Sequence, residues 1–182
     1  MIRGGAARLS LGVRDDMAIY DPRRAVGDVL TRLVRLLRRS PLMYLADSGI
    51  WTYRGDEDLK LALADVVADH QNFIDRAETI LIDEEVELPQ SAYPLAYTGW
   101  HDVALGFLLR RVIADLADRE KDLATLVEEA DLLAGQGGAA AGRTAELIRE
   151  IRGEVAGHLD LLRQQQTRLA GRVASGQVAA ES

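Results

Sequence analysis

The stretch LKLALADVVADHQNFIDRAETI, residues 59–80, carries an apolar seam at Leu59, Leu63, Val66, His70, Phe73, Ala77 and Ile80. The steps are 4, 3, 4, 3, 4 and 3, the spacing of a helix face packed against other helices. His70 stands where that pattern asks for a Leu. A buried imidazole costs free energy unless it finds a partner, so His70 marks either a satisfied polar layer or a site. A second seam with the same steps runs Leu147, Ile151, Glu154, His158 and Leu161, and puts a carboxylate and another imidazole in line.

Working outward, the chain reads as four long helices with no strand between them. The first opens at Asp21-Pro22, an N-cap followed by Pro at the first helical position. Its stripe is Val26, Val29, Leu30, Leu33, Leu36 and Leu37, and Ser40-Pro41 predicts a kink or a fresh helix start. Gly49 and Gly55 bracket a loop holding Trp51 and Tyr53, and Asp56 is placed to cap the helix that runs to about Asp83. Pro89, Pro94 and Gly99 punctuate an ordered crossing from Glu84. Thr98 is the expected cap of the third helix, with Leu105, Leu108, Leu109, Val112, Leu116, Leu123 and Leu126 on its apolar face. Gly135-Gln136-Gly137-Gly138 is a sharp breaker, and the fourth helix extends from about Ala140 to Ala170. The expected organisation is a flexible N-terminal arm over 1–20, an all-α up-down-up-down four-helix bundle over 21–172, and a frayed tail over 173–182.

Composition bounds the function. The 182 residues are 48 % apolar, enough for one substantial core, and contain no Cys, which removes disulfides, thiolate ligands and a Cys nucleophile. The formal charge of −7 argues against nucleic acid as a partner. Residues 1–39 carry nine Arg against four Asp, a net +5, so the remainder carries −12. The basic first helix is expected to complement acidic helices packed beside it. No apolar run reaches the roughly 20 residues of a membrane span. The first fourteen residues hold Arg3, Arg8 and Arg14 and no acid, faintly like a transit peptide, but a frayed arm and a cytoplasmic protein are the expectation.

Counting heights along the helices places the polar residues together. His158 falls roughly 27 Å down the fourth helix at ~1.5 Å per residue, and the same level on the neighbours meets Asp69, His70, Asp115 and Asp118. Glu154 lies four residues from His158, on one helix face. Carboxylates and imidazoles converging in a bundle core suit iron, manganese or zinc. The other reading is a packing layer in which each imidazole bonds to an Asp or Glu. His101 is expected to tie the crossing to the bundle, and Trp51, Tyr93, Tyr97 and Trp100 to cover its end. Hydrolase, phosphate-loop and dinucleotide motifs are absent from the sequence.

The turn Ser40-Pro41-Leu42-Met43-Tyr44-Leu45, the Trp51-Thr52 after it, and Tyr93-Pro94, Tyr97-Thr98, His101-Asp102 and Gly157-His158-Leu159 resemble an uncharacterised bacterial ferritin-like four-helix-bundle family. The resemblance spans about residues 25–170. It implies the fold. The carboxylate sites of ferritin-like proteins use Glu-x-x-His on two helices and a Glu on each of the others. Here Val67 and Val155 stand three residues before His70 and His158, and the first helix offers only Asp28 as an acid. The di-iron set is therefore incomplete, and Arg35 beside a mid-bundle carboxylate is a possible substitute for metal charge. Two functions are expected from this pattern. The first is a non-enzymatic bundle acting by association, as a homo-oligomer or with a protein partner. The second is a metal-binding or redox protein using His70, Glu154, His158 and Asp69, Asp115 or Asp118.

Overall fold

The computed structural model describes residues 21–48, 57–100 and 105–174. Among them the chain is all-α, without a strand. The helices are α1 (Pro22–Arg38), α2 (Pro41–Ser48), α3 (Glu57–Asp83), α4 (Leu105–Gly135) and α5 (Ala139–Ala174), with a short 3₁₀ segment at Leu95–Trp100. The expected arm over 1–20, the loop with Trp51 and Tyr53, the cap Asp56, His101 and nearly all of the expected tail lie outside the described residues.

Local chemistry sets the boundaries. The Asp21 side chain accepts from the Arg23 backbone N–H at 3.0 Å, and Pro22 opens α1. At Ser40-Pro41 a fresh helix begins: buried Ser40 accepts from the Met43 N–H at 3.1 Å, and Pro41 takes the first position of α2. The end of α3 is a Schellman turn. Val86 N–H reaches Leu81 C=O at 2.9 Å and Glu85 N–H reaches Ile82 C=O at 3.0 Å, with Glu85 at φ +58° where Gly is usual. The Val86 side chain then packs against Gly27 of α1. Gly137 and Gly138, at φ +95° and +113°, make the tight turn between α4 and α5. Thr98 does not cap α4. Its hydroxyl donates to Leu95 C=O at 2.7 Å inside the 3₁₀ segment, and α4 opens at Leu105.

Ion pairs fix the helix directions. Along α3 and α5, Asp83 meets Arg143 at 3.3 Å, Arg76 meets Glu150 at 2.6 Å, and Asp69 meets His158 at 2.9 Å. One series falls as the other rises, so α3 and α5 are antiparallel. The pairs Asp131–Arg149 and Glu120–Arg152 show the same for α4 and α5. Hence α3 and α4 run the same way. Glu84, just after α3, sits near both Arg23 of α1 and Arg143 of α5, so those two helices begin where α3 ends. The order is up-down-down-up, not the expected up-down-up-down. The physical reason is the connection 84–104: its 21 residues reach up to about 70 Å when extended, against about 40 Å for the length of α3, so the chain returns across the whole bundle.

The core is a continuous apolar cluster fed by all five helices. Every residue of the 59–80 seam is buried. On α5 the buried line is Leu147, Ile148, Ile151, Val155, His158, Leu159 and Leu162, and Glu154 is exposed. The Arg side chains of α1 are used internally: Arg32 pairs with Glu129, Arg38 with Glu78 at 2.8 Å, and Arg23 with Glu84 at 3.9 Å. The charge imbalance between α1 and the rest is thus largely a packing complement. Among the described residues no helix is long and apolar enough to cross a membrane.

Candidate functional site: the buried histidine pair

Three steps of the α3 seam, of 4, 3 and 4 residues from Leu59, bring His70 to mid-bundle, where it is 0 % exposed. Its ring lies 5.7 Å, centroid to centroid, from the ring of His158 on α5, tilted by 43°, and 6.2 Å from Phe73. Neither nitrogen of His70 has a hydrogen-bond partner among the described residues. Burial, and then the neighbouring His158 and Arg119, push its pKa from 6.5 down to about 3. His70 is therefore neutral at pH 7.

His158 is held differently. Its Nε2 lies 2.9 Å from Oδ2 of Asp69, one residue before His70 on α3. A carboxylate oxygen only accepts, so Nε2 donates to it and Nδ1 is the ring nitrogen left outside that bond. That Nδ1 is buried and has no hydrogen-bond partner among the described residues. Asp69 itself is half exposed, so the pair is linked to the surface by a single carboxylate. The layer holds three unsatisfied imidazole nitrogens, in a core where the large majority of buried polar atoms are paired.

A second polar knot contains Arg119 and Asp115 on α4. Arg119 is buried and occupies the α4 seam between Leu116 and Leu123. Its guanidinium forks onto Asp115, with Nη2 at 2.9 Å from Oδ1, and donates to Leu36 C=O and, at 3.3 Å, to Arg39 C=O. The Tyr97 hydroxyl also donates to Arg39 C=O, at 3.2 Å. The carbonyls freed at the break between α1 and α2 are thus satisfied by α4 and the 3₁₀ segment. Burial raises the Asp115 carboxyl above the usual range, against the lowering pull of Arg119. The arginine buried against a carboxylate is Arg119 and not, as expected, Arg35, which is exposed.

Of the six expected site residues, the structure joins His70, His158 and Asp69. Asp115 belongs to the Arg119 knot. Asp118 is at the surface with Lys121 at 2.8 Å. Glu154 is exposed, because α5 buries Val155 at that turn. Among the described residues no three His, Asp or Glu side chains converge as a metal shell. Arg119 was missed, although it carries the same signal as His70: a polar residue in a seam of 3 and 4 steps, Leu109, Val112, Leu116, Arg119, Leu123 and Leu126.

Tyr93, Tyr97 and Trp100 pack together, but beside the α1–α2 break and level with Gln71–Asp75 of α3, not over the end of the bundle as expected. Tyr44 meets Tyr93 edge-on at 5.3 Å, and Tyr97 stacks on Trp100 at 4.5 Å. A cleft of about 730 Å³ opens between α2, α3 and the crossing, edged by Arg38, Asp47 and Tyr93. Of its polar groups, Arg38 is paired with Glu78, and Asp47 accepts from the Tyr93 hydroxyl.

A scan against protein-family models found no match, and searches of curated proteins and of solved structures found none either.

Proposed function

We propose that this chain is a ferritin-like four-helix bundle, without a complete di-iron ligand set, that acts by association as a self-associating subunit or a scaffold for a protein partner in the cytoplasm. A single long crossover joining the parallel helices α3 and α4 supports the ferritin-like part of this reading. The observation that carries association is the set of large apolar side chains left in water. Leu95 is 86 % exposed, Leu132 70 %, Leu61 65 % and Ile82 61 %. Fully burying one such side chain contributes about 1.5–3 kcal/mol, so a contact covering two of them is worth one or more decades of affinity. Light scattering across a concentration series tests this. An assembly larger than one chain, weakened at least tenfold by Leu95→Ser or Leu132→Ser, is the expected result. A strict monomer with no captured partner sinks it.

A metal-binding or redox role is favoured by a separate observation, the three unpartnered imidazole nitrogens at mid-bundle. Iron, manganese and zinc take four or more ligands, and such a set does not converge among the described residues.

A further inference from the structure

A buried nitrogen lone pair that meets no donor is either a cost to the fold or half of a site. Here two rings share that condition. His158 is fixed by Asp69 through Nε2, the carboxylate–imidazole arrangement that orients a ligand in metal centres and leaves the opposite nitrogen, Nδ1, to bind. His70 faces it from the same layer, with ring centroids 5.7 Å apart. At that separation the two ring edges lie close enough for one shared atom to bond to both. Both rings are close to fully buried, so the shared atom is out of contact with bulk water.

We infer that His70 and His158 form a two-coordinate site for one monovalent soft cation, copper(I), held between their ring nitrogens. The ligand count selects the ion. Two neutral imidazoles cannot complete the tetrahedral shell of zinc or the larger shells of manganese and iron(II), but linear coordination by two nitrogens is ordinary for copper(I) and silver(I). Charge selects the same ion. The charged groups facing the layer are Asp69 on α3 and the Arg119–Asp115 pair on α4. Arg119 is forked onto Asp115, so Asp69 is the carboxylate left to balance one added positive charge. A proton satisfies one lone pair only, whereas the bridging ion takes one from each ring. This inference rests on the metal-binding reading and is independent of association.

Silver(I) is a redox-stable probe, and the chain has no Cys to compete for it. Titrating silver nitrate into the protein in chloride-free buffer, followed by nitrogen-15 shifts of the histidine rings, is the test. The expected result is one ion per chain, with the His158 Nδ1 resonance moving far more than Nε2 and with a raised melting temperature. Copper(I) kept reduced by ascorbate should reproduce it. His70→Leu should abolish the imidazole-linked site while keeping the helical circular dichroism, and Asp69→Asn should weaken it tenfold or more. Absence of a ring-nitrogen shift in the wild type, or stoichiometric binding that survives His70→Leu, overturns the inference. Binding of zinc, iron(II) or manganese at His70 with silver excluded also overturns it, and leaves the broader metal-binding reading standing. Failure of every metal removes both.

Discussion

His158 donates from Nε2 to Oδ2 of Asp69 at 2.9 Å, and this bond is the buried end of an otherwise solvent-facing ladder between α3 and α5. The other rungs, Arg76–Glu150 and Asp83–Arg143, follow at seven-residue steps along α3 and are about half exposed. Burial is what separates their energies. Ion pairs in water are worth little, because screening and side-chain ordering offset the attraction. Removing the partner of a buried ring leaves it unsolvated.

Asp69→Ala should therefore destabilise the fold by about 1–3 kcal/mol, since His158 loses its one acceptor. Glu150→Ala, which breaks a rung of similar length in the open, should cost less than about 1 kcal/mol. Urea denaturation of both variants compares them directly. Equal losses would show that the ladder does not differ in energy along its length.

Arg119→Leu should be among the most damaging single changes. Leu suits the apolar seam of α4, but the change strands Asp115 and leaves the Leu36 and Arg39 carbonyls without their guanidinium donor. Breaking one side of a buried ion pair costs about 3–5 kcal/mol. Arg119→Lys should recover little, because one ammonium cannot span a carboxylate and two carbonyls in a fixed fork. A loss under 1 kcal/mol in urea for Arg119→Leu would contradict this account.

At Gly27 local propensity and packing oppose each other. Ala in a helix interior usually gains about 1 kcal/mol over Gly. Here the new Cβ would stand 2.9 Å and 3.1 Å from the two methyls of Val86, the residue that closes the turn after α3. Overpacking of this kind costs about 1–3 kcal/mol, so Gly27→Ala should lower stability, and adding Val86→Ala should recover most of the loss. A thermal melt in which Gly27→Ala alone is stabilising would refute the contact.

These particulars show what the sequence carried. The α3 seam was legible residue by residue, because a helix with a strict heptad face admits one phase. The α5 seam slipped at one turn: after Ile151 a step of three reaches Glu154 and a step of four reaches Val155, and periodicity allows both. The antiparallel α4–α5 pair followed from the short glycine turn. The direction of α4 relative to α3 did not, because an apolar stripe looks the same read from either end and a 21-residue connection can stay local or cross the bundle. Asp69–His158 was within reach as a pair on facing helices. The bare state of His70 was not, since sequence shows that a polar residue is buried but not what meets it. Arg119 was equally readable as an interruption of a seam, and its partners, two backbone carbonyls at a helix break, leave no trace in spacing.

His70 makes the stability of the bundle depend on pH in a direction fixed by its surroundings. Its folded pKa is about 3 against an ordinary 6.5, with burial the main cause and His158 and Arg119 adding to it. Between those values the unfolded chain binds the proton and the folded chain does not. The contribution is therefore fully present above pH 6.5 and is lost as pH falls toward 3, at a slope approaching 1.4 kcal/mol per pH unit. Carboxylates, with ordinary values of about 4, also take up protons in that window, so the measurement is a difference. Urea denaturation of wild type and of His70→Leu at steps from pH 7.5 to pH 4 cancels the groups the two share. His70→Leu should be as stable as wild type at neutral pH or more so, because Leu completes the seam and removes two unsatisfied nitrogens. Its advantage should widen steadily below pH 6.5. Parallel curves for the two proteins would mean that His70 takes up its proton without resistance in the folded bundle, and would remove the case for a dry, neutral imidazole at its centre.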